Sequence, residues 1–202
     1  MAIKRCLEDK MMKTILISLG ILVVFFSIFD CPARAADAPS IRDDTPAAIK
    51  LPIPQRPDER SYLGLSGTGH FKISQIKAPV VIVEVFSMYC PHCQKNAPEV
   101  NKLYRIIEDN PDTKDKIKLI GIGAGNSSYE VEIFRKKYDI PFPLFADGDY
   151  SVHKALGEVR TPYFIGIKNN KDGTNQVFYS ELGGVEKADE FLELMLKLSG
   201  LQ

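Results

Sequence analysis

Cys90 and Cys93 stand three positions apart and enclose Pro91 and His92. A dithiol at this spacing cycles between two thiols and one disulfide when it sits at a helix N-terminus, where unpaired backbone amides and the helix dipole favour a thiolate on the first sulfur. The flanking residues predict such a place. The β-branched run from Pro79 to Phe86 delivers the chain to Tyr89 and Cys90, and from Cys93 to Glu108 the residues Val100, Leu103, Ile106 and Ile107 recur at helical spacing. Cys90 is thus expected to attack a partner sulfur and Cys93, about one turn further in, to resolve the mixed disulfide. His92 can add positive charge or a donor beside the Cys90 sulfur, which lowers its pKa and favours oxidation of other thiols.

Other uses of two cysteines compete with this one. Haem attachment requires a histidine directly after the second cysteine, and Gln94 is there instead. A four-ligand zinc site needs two further donors, for which only the scattered His70 and His153 stand beside His92. A purely structural bridge would close a very small loop and gain little chain entropy. A redox centre that needs no cofactor beyond its own disulfide is the expectation. A thiol-dependent metallochaperone or redox-regulated binding module, in which the two sulfurs hold a soft metal such as Cu(I), is the alternative from another class.

The elements that must position the pair follow from periodicity. Pro98 lies inside the helix that starts near Cys93 and should kink it by removing a backbone donor. A second buried strand is expected at Ile117 to Ile122, then a helix capped by Asn126 or Ser127, carrying Val131, Phe134 and Tyr138 and stopped by Pro141. A short strand at Phe142 to Phe145 and a short helix at Tyr150 to Leu156 come next. Tyr163 to Ile167 and Gln176 to Tyr179 flank the turn signal Asn170-Lys171-Asp172-Gly173 and read as a closing hairpin, and Glu186 to Leu198 as a last amphipathic helix. Upstream, Tyr62 to Leu65 and Phe71 to Ile73 about the turn Gly67-Thr68-Gly69 read as a short hairpin.

The first 35 residues have the make-up of a secretory signal: Lys10 and Lys13, the apolar run Ile15 to Phe29, and the small-residue site Ala33-Arg34-Ala35. Left uncleaved, the same run would anchor the chain in an inner membrane, although it is shorter than the ~20 apolar residues that span a bilayer comfortably. Cleavage removes Cys6 and Cys31 and leaves the one C-x-x-C pair. Residues 36–60, rich in Pro, Ala and isolated charges, read as a flexible linker, and 61–202 as one domain. The whole chain balances 26 basic against 26 acidic residues, so no net field draws it to nucleic acid. Its 202 residues are 45% apolar and 26% charged, in keeping with a single globular domain.

The run Glu84-Val85-Phe86-Ser87-Met88-Tyr89-Cys90-Pro91-His92-Cys93 closely resembles the thioredoxin superfamily, and its Cys-Pro-His-Cys tetrapeptide is similar to that of Dsb-type periplasmic disulfide oxidases. The resemblance implies an α/β fold of three layers, a central mixed β-sheet between helices. It implies a buried acid at Glu84 that relays protons during exchange, though a strand carboxylate satisfied by a nearby lysine reads equally well. Ala97-Pro98 resembles the thioredoxin helix kink. Thr161-Pro162 matches the cis-proline loop that faces the cysteines, so Pro91, Thr161 and Pro162 are expected to meet substrate, Thr161 through strand-like backbone hydrogen bonds.

About forty residues separate Ile122 from Pro162, too few for the helical insertion of Dsb-type oxidases. The segment Phe134 to Pro162, with Lys137-Tyr138-Asp139-Ile140, Phe142-Pro143-Leu144 and Ala155-Leu156-Gly157, instead resembles the extra strand and helix of TlpA-like and peroxiredoxin-like proteins. Peroxidase activity ranks low, because Ser87-Met88-Tyr89 does not reproduce the threonine or serine that peroxiredoxins carry shortly before their nucleophile. The frame implies a periplasmic thiol-disulfide oxidoreductase whose partners are exported protein thiols or disulfides and a redox partner protein, a membrane-bound one included. Tyr89 stands where the family has tryptophan, and the direction of electron flow stays open: His92 favours oxidation, the TlpA-like frame reduction.

Overall fold

A computed structural model describes residues 49–201. The predicted secretory segment and residues 36–48 of the predicted linker lie outside them. Among the described residues no helix is long and apolar enough to cross a membrane.

The chain runs β1 (Lys50–Pro52), α1 (Pro57–Leu63), β2 (His70–Lys72), a 3-10 turn (Ile73–Gln75), β3 (Val80–Phe86), α2 (Pro91–Asp109), β4 (Ile117–Ala124), α3 (Ser128–Tyr138), β5 (Leu144–Asp147), α4 (Ser151–Ala155), β6 (Tyr163–Asn169), β7 (Asn175–Leu182) and α5 (Ala188–Ser199). Five strands form a mixed sheet in the order β5-β4-β3-β6-β7, with β4 and β5 parallel to their neighbours and β6 and β7 antiparallel. This is the three-layer thioredoxin-like α/β fold, and β5 with α4 supplies the TlpA-like extra strand and helix.

β3 is the centre because every one of its residues is buried, which a Val-Val-Ile-Val-Glu-Val-Phe run tolerates only between two covered faces. Val81, Val83 and Val85 join Ile120, Ile122, Phe145 and Ile165 on one face. On the other face Val80, Ile82 and Phe86 pack with Cys93, Val100 and Leu103 of α2, Phe134 of α3 and Phe191 of α5. Strand alternation puts Glu84 on this second face, between Ile82 and Phe86. Gly121 makes room there, because a Cβ at that position would come 2.5 Å from the Leu144 side chain and 3.2 Å from the Phe86 ring. The ring instead stacks on Phe134 with centroids 4.7 Å apart.

Two expectations are corrected upstream. Residues 49–53 are not part of a tether: Ile49, Leu51 and Ile53 are buried, and β1 pairs antiparallel with β2, Leu51 opposite Phe71. Pro52 and Pro54 masked a period of two, yet a proline is compatible with a short edge strand. Tyr62 and Leu63, read as a strand of a hairpin, close α1, which starts with Pro57 at its first helical position and ends on Gly64 in the left-handed region (φ 66°). The partner of the Phe71 strand is therefore β1. The Tyr62 hydroxyl accepts a hydrogen bond from the Leu119 N–H at 2.9 Å, and Lys118 lies 4.3 Å above the Tyr62 ring.

Downstream the predicted order stands, with shifted ends. The short strand begins at Leu144, and α2 runs on through Pro98 to Asp109. Ser127 caps α3 in a capping box with Glu130. The hairpin of β6 and β7 turns at Gly173 (φ 84°), where Asp172 accepts from the Thr174 N–H.

Candidate active site

Cys90 is the N-cap of α2, with extended backbone (φ −80°, ψ 115°) and Pro91 following at the first helical position. Its sulfur accepts from the Cys93 N–H at 3.4 Å, and the thiol donates to the Thr161 carbonyl at 3.3 Å. Both cysteines are free thiols, Cys90 partly exposed and Cys93 fully buried.

The two sulfurs differ in chemistry as well as access. Burial pulls the Cys90 thiol upward, but a hydrogen bond from the Thr161 side chain and bonds from Cys93 and the His92 backbone outweigh it, and the net shift is down. Burial pushes the Cys93 thiol far up, reinforced by its bond to Cys90 and by the charge of Glu84. Glu84 is 3% exposed, and burial followed by repulsion from Cys90 raises its carboxyl to about 8. The nearby-lysine reading of Glu84 finds no pair: the buried Lys118 goes to Glu108 at 3.2 Å, and no ion pair reaches Glu84 among the described residues. One ionisable thiol, one protonated thiol and a carboxyl that holds its proton near neutrality form a connected set.

The Thr161–Pro162 peptide is cis. Pro162 is buried, and its carbonyl accepts from the Gly183 N–H at 3.0 Å. Thr161 and Pro162 line a groove of about 990 Å³ with His92, Lys95 and Asn96 of α2 and the Leu182–Glu186 loop. Pro91 is exposed and does not line this groove. His92 is exposed too; it supports the Cys90 sulfur through its backbone N–H, and it lines the groove.

Several positioning residues escaped sequence reasoning. Asn126, fully buried, accepts from the Met88 N–H at 2.8 Å, and Gln94 donates to the Met88 carbonyl at 2.7 Å, so the loop entering Cys90 is held from two sides. Tyr89 is 65% exposed, and its hydroxyl donates to Glu130. Asn96 gives Val185 both of its amide's bonds, donating to the carbonyl at 2.7 Å and accepting from the N–H at 3.0 Å. A Cβ at Gly184 would strike that amide at 2.6 Å. His153 bonds the Val159 carbonyl at 2.8 Å, just ahead of Arg160-Thr161. Only the Ser127–Glu130 capping box left a sequence signal.

A mixed sheet that delivers a dithiol to a helix N-terminus, opposite a cis-proline loop, defines a thioredoxin-fold oxidoreductase. The chain belongs to the AhpC/TSA family, whose model matches residues 59–178. A relative named thiol-disulfide oxidoreductase ResA, from Bacillus thuringiensis subsp. konkukian, is 26% identical over 129 residues, 63% of this chain and 68% of its own. Among solved structures, a protein provisionally named thiol:disulfide interchange protein DsbE, from Chlorobium tepidum, matches with a TM-score of 0.55 at 15% identity, over 77% of this chain and 95% of its own. The thioredoxin domain of a thiol-disulfide oxidoreductase from Bacteroides vulgatus matches with a TM-score of 0.50 at 14% identity, over 63% of this chain and 87% of its own. At these identities the two structures show the fold alone.

Proposed function

We propose that the protein is an exported thiol-disulfide oxidoreductase that exchanges disulfides with protein substrates. Cys90 is the attacking thiolate and Cys93 the resolving thiol. The observation that carries the reading is the Cys90 sulfur itself, capping α2 at 3.4 Å from the Cys93 amide and 3.3 Å from the Thr161 carbonyl, with Cys93 sealed behind it. In the reductive half-cycle the Cys90 thiolate attacks a substrate disulfide, one substrate sulfur leaves and takes a proton, and a mixed disulfide forms. Cys93 then gives up its proton to the ionised fraction of Glu84 and attacks the Cys90 sulfur; the Cys90–substrate bond breaks, and the second substrate sulfur leaves and takes up a proton. Two electrons pass from the dithiol to the substrate, and the dithiol is the only redox group required. Thr161 and Pro162 lie where an extended substrate would meet the pair. Residues 1–35 support export, with a periplasmic setting, and 61–202 the catalytic domain, extended upstream by the burial of Ile49, Leu51 and Ile53.

Replacing Cys90 with Ser is expected to abolish exchange with a protein disulfide, and Cys93→Ser to accumulate mixed disulfides that a non-reducing gel displays. Full exchange by Cys90→Ser would overturn the mechanism. Direction is read from the potential of the pair: about −120 mV, as in DsbA, marks an oxidase, and about −270 mV, as in thioredoxin, a reductase.

A further inference from the structure

Resting on this reading of the dithiol, the groove's charges carry a statement about which substrates it takes. His92, Lys95, Asn96 and Glu99 fall on one face of α2 at helical spacing and line the groove, and Arg160 lines it from across, directly ahead of Thr161. The acidic groups are unequal partners. Glu99 is already used, accepting from the Ala188 N–H at 2.7 Å and from Lys102 at 3.4 Å. Glu186 lies beyond Val185, on the loop that Asn96 ties down. Lys95 and Arg160 have no ion pair among the described residues. Lys95, two positions after Cys93, and Arg160, directly before the Thr161 that bonds Cys90, are therefore the uncommitted cations closest in sequence to the redox pair, while Glu99 is held by Ala188 and Lys102.

We propose that the groove selects cysteine-containing peptide segments with an acidic side chain beside the reacting cysteine, Lys95 and Arg160 receiving that carboxylate. The exchange step is unchanged: the Cys90 thiolate attacks the substrate sulfur, the substrate S–S bond breaks, and the other sulfur departs as a thiolate that takes any proton from solvent. The cations act on docking, so the preference belongs to encounter and mixed-disulfide formation and is screened by salt.

The test uses three peptides alike except for Glu, Gln or Lys on both sides of one cysteine, each as its disulfide with the coloured thiol 2-nitro-5-thiobenzoate. Release of colour by the reduced protein gives a rate, which is divided by that peptide's rate with dithiothreitol to remove its intrinsic reactivity. The corrected order expected is Glu above Gln above Lys, with the outer two about tenfold apart at low salt and drawing together at 1 M salt. In the doubly reversed variant Lys95→Glu/Arg160→Glu the order should invert, a ratio taken within one protein and so independent of its overall activity. Equal corrected rates in the unaltered protein, or an order the reversal does not change, would overturn the selectivity and leave the exchange mechanism standing. A protein that reacts with none of the three loses both.

Discussion

At the scale of single residues, Glu84 carries the plainest conflict between stability and use. A carboxyl whose folded pKa is raised to about 8 from an ordinary value of 4.5 costs nothing at pH 4, where folded and unfolded chains are both protonated. As pH climbs, the unfolded chain releases the proton while the folded one keeps it, so stability is lost between about 4.5 and 8. Glu84→Gln removes that loss. The variant is expected to exceed the unaltered protein in stability by on the order of 3–5 kcal/mol at pH 8 and to match it near pH 4. Denaturant unfolding of the reduced proteins at the two pH values checks this, and a gap independent of pH would contradict it. The same variant should resolve mixed disulfides more slowly, because Cys93 has lost its proton carrier.

At the scale of elements, the site is built where loops are held to helices by amides. Asn126 fixes the Ser87–Tyr89 loop through the Met88 N–H, and Asn126→Ala would leave that donor without its partner, at a cost of about 1–3 kcal/mol. Urea unfolding measures it; a loss of a few tenths of a kcal/mol would mean that Gln94 alone holds the loop. Such residues were illegible in the sequence for a physical reason. Asn126 and Met88 are 38 positions apart, and Asn96 and Val185 are 89, and no local pattern marks a side chain that bonds a distant backbone group. Cys90 and Cys93 were legible because their chemistry depends on a spacing within one helical turn. β3 and α2 were legible because their burial repeats with a fixed period. β1 was not, since its three residues end in Pro52 and pair with a strand equally short.

At the scale of the whole molecule, the first described residues decide whether the fold holds. Ile49, Leu51 and Ile53 enter the core on the face of the sheet opposite α2, and α1 is tied to α3 where Arg135 meets Glu59 at 2.9 Å. Burying three such side chains contributes about 1.5–3 kcal/mol each, a sum comparable with the 5–15 kcal/mol that keeps a domain folded. A chain beginning at residue 61, the boundary that composition suggests, is expected to melt at least about 15 °C below the longer protein or to lack a cooperative transition. Circular dichroism on heating tests it, and a difference of a degree or two would return residues 49–60 to the role of a tether.

The Tyr62 hydroxyl has a consequence for behaviour in crowded solution. β5 pairs with β4 only from Gly121 to Ala124, so among the described residues the earlier part of β4 borders no further strand on that side. An open strand border is a template onto which another polypeptide can add itself, and proteins block such borders to avoid sticking together. The bond from the Leu119 N–H to Tyr62, with Lys118 folded over the ring, closes this one with a side chain and a charge. α1 thereby covers with its own side chain a border that would otherwise lie open to a second polypeptide.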